Sequence, residues 1–176
     1  MKKLVYILFL FLLVGCNDLS NTPTKKTEEF LKKYQTLDES VITDLESVVN
    51  ESDLNDEQKT IYIDIMKKQY QSLNYEIKDE TLDGDEAITT VEISVIDFKK
   101  VLDEANDYLK NNEEEFYDNG EYSIVKFNDY KLNKLKQAKD KVRYTIEIKL
   151  TKINDKWTVD NLSNETYDKI NGVYNY

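Results

Sequence analysis

Residues 142–153, VRYTIEIKLTKI, alternate over most of their length. Val142, Tyr144, Ile146, Ile148 and Leu150 are apolar, and Arg143, Thr145, Glu147, Lys149 and Thr151 between them are polar. Successive side chains of a strand point to opposite faces, so this run commits the chain to a strand with one face buried and one in water. Antiparallel sheets allow that arrangement, whereas parallel sheets are buried on both faces. The turn residues Asn154-Asp155-Lys156 follow, and WTVDNL, residues 157–162, returns with Trp157 and Val159 inward. The apolar face of such a hairpin needs a cover, and the rest of the chain must supply it.

Helical spacing supplies it. Pro23 suits the first position of a helix, and Phe30, Leu31, Tyr34 and Leu37 recur behind it at helical intervals. Val41, Ile42, Leu45, Val48 and Val49 continue the pattern beyond LDES, where Asp38 as an N-cap predicts a break and a second helix. Asn55 with Gln58 three residues on predicts a capping box, and Ile61, Ile65, Met66, Tyr70 and Leu73 line one face of the helix that follows. The period then changes to two. YEIKDETL runs into Asp83-Gly84, a hairpin signal, and the next strand sets Ala87, Val91, Ile93 and Val95 against Glu92 and Ser94. Phe98, Val101, Leu102, Ala105, Tyr108 and Leu109 return to helical spacing, with Asn119-Gly120 as a left-handed stop. A further helix is expected from about Tyr122 to Lys139 through Ile124, Phe127, Leu132 and Leu135. A short helical tail, NETYDKI, ends at Gly172.

The expected fold class is therefore α+β: helices packed on one face of a curved antiparallel sheet, cone-like, with a helical insert near 99–139. In TEEFLKKYQTLDES, DGDEAITTVEISVIDF and YTIEIKLTKINDKWTVDNL the chain resembles the nuclear-transport-factor-like (cystatin-like) superfamily, and small lipoproteins of unknown function that share its closing hairpin. The resemblance implies a cone with a hollow between sheet and helices. The insert departs from the minimal form.

The amino terminus reads separately. MKK precedes Leu4–Val14, an apolar run too short for a spanning helix, which takes roughly 20 residues, and of the right length for a signal peptide. Leu13-Val14-Gly15-Cys16 resembles the lipobox of bacterial lipoproteins, and the polar NDLSNT follows it. The resemblance implies a diacylglyceryl group on Cys16 and cleavage just before it. The expected organisation is a cleaved signal peptide over 1–15, a lipidated cysteine and tether over 16–26, and one domain over 27–176. The implied location is the extracytoplasmic face of the cell membrane. Two acyl chains at about 0.8 kcal/mol per buried CH₂ hold stably where one is marginal.

Charge and composition exclude several functions. The chain carries 24 Lys and Arg against 35 Asp and Glu, a net charge of -11. Such a chain is repelled by nucleic-acid phosphates, so no nucleic-acid partner is expected. It has no histidine and one cysteine, which excludes Ser-His-Asp triads, Cys-His pairs and histidine metal sites. Cofactor motifs and Gly-rich phosphate loops are absent. From Asp53, an EF-hand would need Gly at position 58 and Glu at position 64, where the chain has Gln58 and Asp64. No metal, cofactor or catalytic residue is therefore assigned. Carboxylates are the one abundant reactive group, and a pair of them could hydrolyse a glycosidic bond. The inward residues of the closing hairpin, Tyr144, Ile146, Ile148, Trp157 and Val159, are candidates for lining a cavity or for plain core. Tyr167, Tyr174 and Tyr176 mark a contact patch or the end of the packing. The reading is a lipid-anchored, non-enzymatic binding domain that meets an envelope protein or a small ligand. The alternatives are a carboxylate hydrolase of envelope polysaccharide and a purely structural surface lipoprotein.

Overall fold

The computed structural model describes residues 21–175. The Thr22 hydroxyl accepts from the Lys25 amide at 3.1 Å and Pro23 opens helix α1, Pro23–Thr36. Leu37 ends it in the left-handed conformation, at φ 55°. Asp38 then caps α2, Glu39–Asn50, through the Ser40 amide, so the LDES break is real. Helix already occupies residues 23–26, which the sequence reading assigned to a tether. Asn55 and Gln58 form the reciprocal capping box of α3, Asp56–Ser72.

Strand β1, Asn74–Asp83, turns at Gly84 into β2, Glu86–Ile96. Helix α4, Phe98–Asn111, is capped by Asp97 and followed by a 3-10 turn, Glu113–Phe116. Here the structure corrects the sequence reading. Asn119-Gly120 stops no helix. It turns a small hairpin of β3, Tyr117–Asp118, and β4, Glu121–Tyr122, with both turn residues at positive φ. Asn-Gly suits a left-handed helix stop and a two-residue hairpin turn equally, and the Tyr117–Tyr122 cross-strand pair selects the turn. Helix α5, Ile124–Gln137, begins behind a Ser123 cap and is shorter at both ends than expected. Strand β5, Lys141–Ile153, and β6, Lys156–Val159, close the sheet, and α6, Asn164–Asn171, ends at Gly172.

The sheet order is β1-β2-β5-β6, antiparallel throughout. β2 and β5 pair along their full length, from Glu86 opposite Thr151 to Ile96 opposite Lys141. One face carries Ala87, Val91, Ile93, Val95, Tyr144, Ile146, Ile148 and Leu150, all buried beneath the helices. The other face is wet, and there Glu92 lies between Lys78 and Arg143 at 3.9 and 3.8 Å. Helices on one face of an antiparallel sheet are thus observed. Each large apolar side chain so buried contributes about 1.5–3 kcal/mol relative to exposure. The fully buried Thr89 interrupts this face, and Thr27 on α1 satisfies it at 2.7 Å.

The insert leaves β2 and re-enters β5 at one end of the sheet, where the Asp97 amide donates to the Asp140 carbonyl at 2.9 Å. Its own small core is aromatic: Tyr108 stacks on Tyr130, and Phe116 meets Phe127 and Tyr130 edge-on.

Candidate functional site

Helix α2 packs mainly on α3. Its apolar stripe, Val41, Leu45 and Val48, follows the i, i+4, i+7 spacing of a face that seeks a partner. Val41 and Leu45 find one in the core; Val48 is 70 % exposed. Below this stripe runs a groove of about 560 Å³. Its other walls are Tyr34 of α1, Tyr62, Met66 and Tyr70 of α3, and Tyr167 and Asn171 of α6.

Packing fixes the floor of the groove. Tyr34 and Tyr70 meet edge-on at 5.1 Å, and Phe30 stands edge-on behind Tyr34 at 5.6 Å. The Tyr70 hydroxyl donates to Asn171 Oδ1 at 3.1 Å, which ties the floor to α6. Burial pushes the Tyr34 and Tyr70 phenols well above the ordinary tyrosine value, because a buried phenolate loses its hydration. The neighbouring tyrosines and Asp44 push in the same direction. Tyr62 is raised by burial alone. The phenols therefore remain neutral hydrogen-bonding groups throughout the physiological range. Asp44 is the one ionisable carboxylate in the lining.

Gln69 positions the α6 wall. It is fully buried, and its amide nitrogen donates to the carbonyls of Ile96 and Asn171 at 2.9 and 3.0 Å. Its amide oxygen accepts from the Ile96 amide at 2.9 Å. One side chain thus joins α3, the end of β2 and the end of α6. Gly172 lies against the same spot. A Cβ there would strike the Ile96 carbonyl and the Gln69 amide.

The closing-hairpin residues are distributed differently. Tyr144 packs edge-on against Tyr174, and Ile148 is fully buried in the core. Ile146 borders a hollow of about 520 Å³ between β5 and α6. Trp157 and Val159 border another, of about 470 Å³, between α1 and β6. Tyr167 is a wall shared by this hollow and the tyrosine groove. Cys16 and Tyr176 lie outside the described residues. The sequence reading did not find the groove. Its one legible signal was a tyrosine on each of three helices, and the docking that brings them together leaves no local pattern.

A scan against protein-family models finds no match, and a search of curated proteins finds none. Among solved structures, the chain is similar to the crystal structure of "a putative lipoprotein (ycdA)" from Bacillus subtilis subsp. subtilis strain 168, at 14 % identity and a TM-score of 0.44. The match covers 85 % of this chain, which spans about half, 47 %, of that one. Among the described residues, no helix is long and apolar enough to cross a membrane.

Proposed function

We propose that this chain is a lipid-anchored, extracytoplasmic binding module that does no chemistry and takes its ligand in the tyrosine groove. The observation that carries the reading is the groove itself: a mixed lining with an apolar majority, neutral phenols and a fully buried amide that fixes one wall. Such a surface accepts an apolar or aromatic ligand, or the apolar side of a peptide, with hydroxyls to orient it. The anchor is Cys16, on the resemblance of Leu13-Val14-Gly15-Cys16 to a lipobox. The order of helices, hairpin and closing hairpin supports a relation to the nuclear-transport-factor-like superfamily.

The groove does not favour the hydrolase. Glycoside hydrolysis takes two carboxylates about 5–10 Å apart, and Asp44 stands alone there. A photo-crosslinking amino acid at Val48, in the full chain on its own membranes, tests the binding reading. A single adduct of defined mass that disappears in Tyr167→Ala supports it. Adducts that are indifferent to Tyr167→Ala, or none at all, count against the groove.

A further inference from the structure

Asn21 is the first described residue, and it is already bound to the sheet. Its side-chain amide donates to the Asp155 carbonyl at 2.6 Å and accepts from the Trp157 amide at 3.0 Å. Asp155 lies in the β5–β6 turn, and Asn154 and Asp155 both have the positive φ of a tight two-residue turn. The chain therefore enters the domain at one end of the sheet, the end that also holds the β1–β2 turn at Gly84. The insert is rooted at the opposite end, where Ile96 pairs with Lys141.

We propose that the end of the domain carrying the β5–β6 and β1–β2 turns is the one held at the membrane, and that the root of the insert is on average the farther end. This rests on the anchoring at Cys16 proposed above. Four residues, 17–20, separate Cys16 from Asn21, and the five steps between them, at about 3.3–3.6 Å each, reach at most about 18 Å. Strand β5 alone, 13 residues, runs about 40 Å. A tether shorter than half the sheet, bound at one end, keeps that end within about 18 Å of the bilayer, whereas the other end can swing away by the full length of the sheet.

The surface at the near end fits that placement. Leu82 and Ile153, 56 % and 54 % exposed, lie there. The charged groups around them are Lys152 and Lys156 against Asp83, Asp85, Glu86 and Asp155. That balance is acidic, so this end is not drawn to anionic headgroups.

The chain's one tryptophan, Trp157, is a built-in reporter of the near end. Tyr174, packed on Tyr144, offers a reporter position about 26 Å further along β5, eight residues beyond the Lys152 partner of Trp157. The test is energy transfer from tryptophan to a dansyl headgroup lipid, using the lipidated full chain on phosphatidylcholine vesicles. Wild-type protein is compared with the double variant Trp157→Phe/Tyr174→Trp. Several-fold more transfer from Trp157 is expected. A Gly/Ser insertion of about 20 residues between Ser20 and Asn21 spans about 25 Å root-mean-square and should make the two signals converge. Equal transfer from both positions without the insertion overturns the orientation but leaves the anchor standing. A difference that survives the insertion also overturns it, because the tether would not be its cause. Protein that does not float with the vesicles removes the anchor and the orientation together.

Discussion

Replacing Gln69 with leucine keeps the side chain close to its size and removes three hydrogen bonds. The Ile96 amide, the Ile96 carbonyl and the Asn171 carbonyl lose the partners they have at 2.9–3.0 Å. A buried group left unpaired costs about 1–3 kcal/mol. The carbonyls have a second lone pair and can recover water more readily than the amide, so the total falls near 3–5 kcal/mol. That is a large share of the roughly 5–15 kcal/mol by which a domain of this size is stable. Urea unfolding followed by circular dichroism reads it directly, as a drop in the midpoint at an unchanged slope. Gln71→Leu, exposed on the same helix, should stay within about 0.5 kcal/mol and serves as the control. Because Gln69 also holds the end of α6, amide exchange in α6 should rise more than in β2. A loss below about 1 kcal/mol for Gln69→Leu would mean that the three hydrogen bonds do not hold α6 in place.

Gly172→Ala should cost more than about 2 kcal/mol, combining a left-handed φ with a clash against the Ile96 carbonyl. Gly84→Ala, with nothing near its added Cβ, should cost only about 1 kcal/mol; equal losses would remove the clash from the explanation. Tyr34 and Tyr70 have folded pKa values raised above those of the unfolded chain. Their contribution is complete below about pH 10, the ordinary tyrosine value, and is lost as pH rises beyond it. Alkaline unfolding should therefore coincide with the tyrosinate absorbance of these residues, and a flat stability from pH 9 to 11.5 would contradict it. Val48→Lys should leave stability within about 0.5 kcal/mol, because the side chain is already in water and a cation suits the last turn of α2. The same change should weaken whatever the groove binds.

Much of the fold was legible because its signals are local. The alternation of Val142 to Leu150, the Asn55/Gln58 capping box and the Asp38 cap each act within a few residues, and each appears as expected. Asn119-Gly120 was local but ambiguous, since one dipeptide serves two turns. The groove was not legible. It depends on Gln69, whose partners lie 27 and 102 residues away and which periodicity reads as merely polar. Val48 shows the converse. It belongs to the apolar pattern of its helix, yet the buried line runs through Val41, Leu45 and Val49 and leaves Val48 beside it in water.

Location and orientation both rest on what Cys16 carries, and the amino-terminal peptide of the protein taken from its own membranes decides that. Its mass should be that of a peptide beginning at Cys16 with a diacylglyceryl group, and Cys16→Ser should abolish both the lipid and the cleavage. An unmodified Cys16, or a Cys16→Ser protein cut at the same bond and still membrane-bound, would contradict the anchored module.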